Sequence, residues 1–260
     1  MLREARAVRD GKFDDLIFVE GLRLCEEALR SRLEIIAVIH SDEIARKDRA
    51  AKLIDELLAV CDRVVSVNES LLATVSFTKT PQGMIVIAKR PESGPEVLQQ
   101  KTGKAELIVI LAGINNPVNV GAILRSAEAA GATGVIATNN TADPFSPKSL
   151  RGAMGSAFRL PIWRGAGYAE TLAWCAKEDI ATVCADLKAS KQYTEIDWTV
   201  SRALIVGPES TGLTPEEVDM AVESVKIPMH GSAESLNVSA AASILLYEAA
   251  RQRNSSAASA

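Results

Sequence analysis

The sequence predicts an α/β protein built as two domains, and three observations predict it. The chain has 260 residues, 47% hydrophobic and 24% charged, which is apolar surface enough for two modest cores and excludes a disordered or fibrous chain. Residues 105–253 alternate β-branched runs with helical periods, the pattern of a parallel sheet with helices on both faces. Between apolar stretches, 91-PESGPEVLQQKTGK-104 combines two prolines and two glycines with polar residues, the make-up of a linker. The expected boundaries are 1–96 for an N-terminal domain, 97–104 for the linker, 105–253 for the second domain and 254–260 for a disordered tail.

In the N-terminal domain, 20-EGLRLCEEALRS-31 sets Leu22, Cys25, Ala28 and Leu29 at helical spacing, and 35-IIAVIH-40 follows as a β-branched strand. A second helix is expected through 48–61, with strands at 63–68 and 84–90. The stretch 77-FTKTPQG-83 has no apolar period and is expected as an exposed loop. In the second domain the expected elements are a strand at 107–111, a helix at 119–130 closed by Gly131 at C′, strands at 134–138, 180–185 and 203–206, and a final helix over 234–252.

Charge narrows the functional classes. Twenty-nine bases against 33 acids give a net −4. The two halves do not differ, with 15 bases against 17 acids through residue 100 and 14 against 16 beyond it. Such a chain cannot hold nucleic acid by bulk charge, so any RNA or DNA contact has to be local. The longest apolar runs, such as 107-LIVILAG-113, are too short to cross a bilayer, and the first twenty residues mix Arg, Glu and Asp. The expectation is therefore a cytoplasmic chain without a membrane partner. Cys25, Cys61, Cys175 and Cys184 form no C-x-x-C pair, and only His40 and His230 could join them, so reduced, buried thiols and no metal are expected.

Parallel sheets bind ligands beyond the carboxyl ends of their strands. That directs attention to 113-GINNPVNVGAILRSAEAAG-131, 207-GPESTGLTPEE-217 and 227-IPMHGSAESLNVSAAASILLYEAARQR-253. The second of these lacks the lysine of G-x-x-x-x-G-K-[ST], and no G-x-G-x-x-G follows a strand, which argues against ATP hydrolysis and dinucleotide binding. A Ser or Cys nucleophile is poorly supported as well, since His40 lies in the other domain and His230 has no elbow motif beside it.

Taken together, the three loops resemble the SpoU, or TrmH-type, RNA ribose 2′-O-methyltransferases. The resemblance rests on N-N-P-x-N-x-G-A-I-L-R-S-A at 115–127, G-P-E-x-x-G-L at 207–213 and I-P-M-x-G-x-x-x-S-L-N-V-S at 227–239, in the family's order and spacing. F-V-E-G-x-R-L-x-x-E-A-L at 18–29 and T-P-Q-G at 80–83 are similar to the ribosomal-protein-like substrate-binding domain often fused in front. The resemblance implies a SPOUT-type parallel sheet with a C-terminal trefoil knot, an exception to ordinary chain topology. It also implies S-adenosylmethionine held in the knot by main-chain groups, structured RNA (rRNA or tRNA) as substrate, no metal, and a homodimer through the C-terminal helix. A base-methylating enzyme of the same knotted superfamily, or a catalytically inactive RNA-binding module, stays open at this point.

Carried over residue by residue, the resemblance puts Arg125, Asn119, Glu209, Ser235 and Asn237 in the catalytic centre. A ribose hydroxyl is a poor nucleophile until it loses its proton or its developing alkoxide is stabilised. The family's matching arginine has been proposed as the base. Because an arginine keeps its proton in nearly all proteins, orienting the phosphate and stabilising the oxyanion is the preferred role for Arg125. Asn119 fixes the first loop or simply caps its helix, and Glu209 orients Arg125 or is a solvated acid. Ser235 and Asn237 begin the last helix, Ser235 as a ligand contact or a plain N-cap.

For the cofactor, Gly207, Gly212 and Gly231 allow close approach of the main chain, and Leu213, Ile227, Met229 and Leu236 can wall an adenine ring. Glu209 and Ser235 complete that set. Either loop by itself reads most often as a turn, a weighting that the joint pattern reverses. RNA contact is expected of Arg23, Lys79 and Gln82, Arg23 having the alternative of pairing with Glu26 or Glu27. No acid lies between Asp143 and Glu170, whereas Lys148, Arg151, Arg159 and Arg164 do. Since 146-SPKSLR-151 matches the family's segment, Lys148, Arg151 and Arg159 are expected on phosphates, with scattered surface bases as the other reading. The final helix is apolar around most of its circumference and must be covered on more than one side, by a partner subunit or by the chain itself.

Overall fold

The computed structural model describes residues 1–99 and 105–257. Residues 100–104 of the expected linker and 258–260 of the expected tail lie outside the described residues. The chain divides into two compact units, Met1–Pro91 with Phe145–Arg159, and Glu92–Pro144 with Leu160–Ala260.

The first unit runs α1 (Leu2–Arg9), β1 (Leu16–Glu20), α2 (Leu22–Arg30), β2 (Ile35–Ser41), α3 (Asp48–Leu58), β3 (Val64–Val67), α4 (Glu69–Val75) and β4 (Met84–Lys89). Its sheet has the order β1-β4-β2-β3, with β4 antiparallel to both neighbours and β3 parallel to β2. Phe18, Ala37, Ile39, Ile85 and Ile87 pack with Ala5, Val8, Leu72 and Val75 from α1 and α4. Only α2, α3, β2, β3 and β4 were anticipated. β1 escaped because four of its five side chains are buried, leaving no alternation to read. The helix expected to reach residue 61 stops at Leu58, where Ala59 caps it.

Beyond it the chain continues with β5 (Leu107–Leu111), α5 (Pro117–Ala129), β6 (Gly134–Thr138), α6 (Pro147–Ala153), α7 (Ser156–Arg159), β7 (Ile162–Ala166), α8 (Tyr168–Lys177) and β8 (Ala181–Ala185). β9 (Lys191–Gln192), β10 (Arg202–Val206), α9 (Pro215–Asp219), β11 (Glu223–Lys226) and α10 (Val238–Ala257) complete it. α6 and α7 belong to the first unit, where α6 packs on β1.

The second unit is a seven-stranded sheet in the order β7-β6-β5-β10-β8-β11-β9, parallel at every pairing. The alternation of the sequence predicted that. Every side chain of β5 is at most 1% exposed, as a central parallel strand covered on both faces demands. The register runs from Arg202 beside Leu107 to Val206 beside Leu111, so β10 and β5 end level and their loops start side by side. β7, β9 and β11 were not anticipated, because 162-IWRGA-166 contains a glycine, β9 has two residues and 223-ESVK-226 is largely polar. Among the described residues no helix is long and apolar enough to cross a membrane.

α10 starts at Val238 rather than at 234 and stays helical to Ala257, beyond residue 254 where fraying was expected. It packs on α5, where the Ser126 and Ser243 hydroxyls meet at 2.8 Å. Near its end the Arg253 guanidinium donates to the carbonyls of Trp198 (2.8 Å), Ala105 (2.7 Å), Glu106 (2.9 Å) and Val200 (2.9 Å). Ala242, Leu245, Leu246 and Ala249 are buried, while Ile244 and Tyr247 stand exposed.

Candidate active site

The site lies at the carboxyl ends of β5 and β10, within the second unit. After β5 the chain turns at Gly113, whose φ of +67° is open to glycine and strained for other residues. The Gly113 N–H lies 3.2 Å from Thr138 Oγ1 and 3.1 Å from Thr141 Oγ1. Asn116 then caps α5 by accepting from the Val118 N–H, and Pro117 takes the first helical position, where its missing N–H costs nothing. Asn119 is therefore not the cap. It sits inside the first turn, 7% exposed, and its Nδ2 donates to Glu209 Oε1 across 2.7 Å.

Glu209 belongs to the loop after β10. A Cβ on Gly207 would lie 2.8 Å from the Leu213 nitrogen, so the loop folds back on itself only because that atom is missing. The Gly212 N–H, at a φ of +66°, donates to the Pro208 carbonyl. Thr214 and Glu217 then form a capping box that starts α9.

The third loop, 227–237, follows β11. Asn237 caps α10, its Oδ1 accepting from the Ser239 N–H at 2.9 Å, so the cap is Asn237 and not Ser235. Its Nδ2 donates to Asn119 Oδ1 at 3.3 Å. The relay Asn237 to Asn119 to Glu209 thus ties the three loops together through both polar atoms of Asn119's side chain.

The remaining expected groups stand around this relay. Arg125 is exposed on α5 and has no hydrogen-bond or ion-pair partner among the described residues. Glu209 is therefore held by Asn119 and not engaged with Arg125. Ser235, Gly231 and Leu236 are exposed, whereas Leu213, Ile227 and Met229 are half-buried. Among the described residues no main-chain N–H from Met229 to Asn237 donates to another residue.

These residues fit S-adenosylmethionine. The third loop offers a run of free main-chain donors, half-buried apolar side chains stand at its start, and a Cβ on Gly212 or Gly231 would meet nothing within 4 Å. Thr138, Thr141, Asn116 and Ser239 support the site and were not singled out from the sequence. Only Asn116 carried a signal, its place before a proline. All four cysteines are buried and free, and burial raises the thiols of Cys175 to about 12 and of Cys184 to about 11, which suits neither for nucleophilic work.

The six expected RNA-binding residues, Arg23, Lys79, Gln82, Lys148, Arg151 and Arg159, all fall in the first unit, the last three because 145–159 packs there. Arg23, Lys79, Gln82, Lys148 and Arg151 are exposed. Arg23 pairs with neither candidate acid: Glu26 takes the Arg49 fork at 2.7 and 2.6 Å, and Glu27 takes Arg30 and Arg159. Arg159 is thus engaged at 2.5 Å with Glu27. At Gly155, with a φ of +93°, a Cβ would lie 2.9 Å from Glu27 Cβ, so that position takes glycine.

Fold and site together define an α/β methyltransferase of the class that acts on RNA. The chain belongs to the SpoU rRNA Methylase family, which it matches over residues 106–247, and residues 18–94 match the family described as RNA 2'-O ribose methyltransferase substrate binding. It is 31% identical over 231 residues to the 23S rRNA (guanosine(2553)-2'-O)-methyltransferase RlmP of Bacillus subtilis, covering 88% of this chain and 86% of that one. It is 32% identical over 246 residues to the 23S rRNA (guanosine-2'-O-)-methyltransferase RlmB of Coxiella burnetii, covering 92% and 97%. The crystal structure of the SpoU methyltransferase AviRb from Streptomyces viridochromogenes in complex with AdoMet superposes with a TM-score of 0.87 at 26% identity, over 98% of each chain. Of the readings left open by the loops, these matches agree with the ribose 2′-O-methyltransferase family.

Proposed function

We propose that this chain methylates a ribose 2′-hydroxyl of 23S ribosomal RNA with S-adenosylmethionine as donor, in the cytoplasm and as a homodimer. The observation that carries the reading is the Asn237–Asn119–Glu209 relay, which gathers the three loops of the family match at the ends of β5 and β10. The choice of 23S rRNA rests on the relatives that share both of this chain's domains.

When bound, the cofactor supplies a methyl group made electrophilic by a sulfonium. The free main-chain donors of 229–237 and the glycines at 207, 212 and 231 would hold it, with Leu213, Ile227, Met229 and Leu236 against the adenine. Glu209 Oε2 has no partner among the described residues and would take a ligand hydroxyl or ammonium, because Asn119 holds only Oε1. Arg125, which has no partner among the described residues, would orient the phosphate beside the target ribose and stabilise the 2′-oxygen as its proton leaves. Ser235 and Asn237 would orient the hydroxyl from the third loop.

Two further features belong to the reading. Ile244 and Tyr247 give α10 an exposed apolar strip suited to the same helix of a second copy. The chain beyond β10 would pass through the knot of its family, fixing the second and third loops against each other. The test is methyl transfer to purified 23S rRNA and tRNA from labelled S-adenosylmethionine. Label is expected in 23S rRNA, in a dinucleotide that survives alkaline hydrolysis, and is expected to fall by roughly 100-fold or more with Arg125→Ala. Label on a base, or in tRNA only, would overturn the assignment.

A further inference from the structure

Glu20 ends β1 with a residue only 7% exposed, and no cation balances its carboxylate among the described residues. Its partners come instead from three successive residues of one loop. Oε2 accepts from the Phe77 N–H at 2.8 Å, and Oε1 accepts from the Thr78 hydroxyl at 2.8 Å and from the Ser76 hydroxyl. The Thr78 N–H in turn donates to Ser76 Oγ at 3.1 Å.

The other end of the loop is fastened too. The Ser41 N–H donates to the Gly83 carbonyl at 2.8 Å and the Gly21 N–H to that of Met84 at 2.9 Å. A Cβ on Gly21 would lie 2.6 Å from Gln82 Oε1, so the glycine after Glu20 makes the room that Gln82 uses. Between the fastenings Lys79, Thr80 and Gln82 are exposed, and Lys79 has no hydrogen-bond or ion-pair partner among the described residues.

A carboxylate taken out of water is costly unless donors satisfy it. Here every donor belongs to the loop, so releasing the loop would strand the charge. Loop and carboxylate therefore move together or not at all, and a cation and an amide are displayed on a support that has already lost its conformational freedom. A contact made by such a support gives up less entropy on binding.

We propose that Glu20, with Gly21, is a positioning residue for substrate binding: it holds the 76–83 loop so that Lys79 and Gln82 meet ribosomal RNA in a single conformation. This rests on the RNA-methylating reading above.

The test compares wild type with Glu20→Gln, Thr78→Val, Lys79→Ala and the Glu20→Gln/Lys79→Ala double variant. Fluorescence anisotropy on 23S rRNA, steady-state kinetics and deuterium uptake are the readouts. Glu20→Gln is expected to raise Kd and KM for the RNA about ten-fold, as lost preorganisation does, leaving kcat and S-adenosylmethionine affinity unchanged and speeding exchange at 77–82 while β1 and β4 stay protected. The double variant should bind no more weakly than the weaker single, since both act through one contact. Thr78→Val should show the same split to a smaller degree, and it decides the matter should Glu20→Gln not fold. Unchanged RNA affinity in the Glu20 and Thr78 variants, or a fall in kcat and cofactor affinity alongside it, overturns the proposal, as does multiplication of the two single effects. A wild type that binds rRNA without methylating it sinks the activity reading only, because binding still reports on the loop.

Discussion

Asn119 Nδ2 donates to Glu209 Oε1 across 2.7 Å, joining the first turn of α5 to a loop 90 residues further along the chain. Because Asn237 donates to the other side of the same amide, Asn119 needs one donor and one acceptor. Asn119→Asp keeps the shape but sets two carboxylates against each other. Methyl transfer is expected to fall roughly 100-fold in Asn119→Ala, on the scale of losing a preorganised polar group, and further in Asn119→Asp. Single-turnover assays at saturating cofactor check this, and near-normal turnover in the aspartate variant would count against the relay.

Arg125 should separate chemistry from stability. Its side chain is exposed and unpaired among the described residues, so Arg125→Ala should change unfolding free energy by no more than about 0.5 kcal/mol, as for surface substitutions generally. Turnover should nonetheless fall by roughly 100-fold or more if the guanidinium stabilises the reacting oxygen. Arg125→Lys should recover part of it by restoring charge without the planar fork. Equal loss of stability and activity, measured by urea titration beside the assay, would assign the arginine a structural role.

How far the site was legible follows from the kind of signal each residue left. Arg125, Asn119, Glu209 and Asn237 stood in motifs whose spacing survives in one dimension. Partnership did not survive: that Glu209 takes Asn119, or that Asn237 caps α10 in place of Ser235, depends on the level ends of β5 and β10. The central strands β5, β6 and β10 announced themselves as apolar runs, whereas β9 and β11 at the sheet edge are short and polar. The return of 145–159 to the first unit left no trace in periodicity, since only the fold brings Gly155 against Glu27.

Gly207 offers a test of the second loop. A methyl group there would lie 2.8 Å from the Leu213 nitrogen and 2.9 Å from Leu213 Cγ, so Gly207→Ala must displace the turn. Cofactor affinity by calorimetry is expected to weaken about ten-fold or more, the loss of one well-placed contact set. Gly131→Ala, where a Cβ would meet nothing within 4 Å although the φ is +79°, should leave cofactor affinity unchanged.

Arg253 should govern the stability of the second unit. Its guanidinium serves four carbonyls from 105–106 and 198–200, and burial lowers its pKa from the ordinary arginine value. Arg253→Met leaves those carbonyls without their donors and is expected to cost about 2–4 kcal/mol, the range for breaking a buried hydrogen-bond network. Chemical denaturation should show this as a lower midpoint with an unchanged slope. A midpoint shift corresponding to less than about 1 kcal/mol would mean that water replaces the guanidinium without cost.

Glu223 on β11 carries the clearest pH dependence. The hydrogen bond from Lys191 at 2.7 Å, with Arg202 at 2.8 Å adding to it, holds its carboxyl below the usual glutamate range. A depressed folded pKa means that the unfolded chain binds the proton first. The stability Glu223 contributes is therefore complete above the unfolded value, about 4.3 for glutamate, and is lost as pH falls through the lower folded value. Urea midpoints of wild type and Glu223→Gln should differ most at neutral pH and converge as pH falls below the folded value, because protonation then makes the wild-type side chain as neutral as the amide. Since Glu223 is partly buried and joins β11 to both β9 and β10 through its two cations, a constant difference across that range would show that the glutamine disturbs packing at the sheet edge and that the charge itself adds nothing.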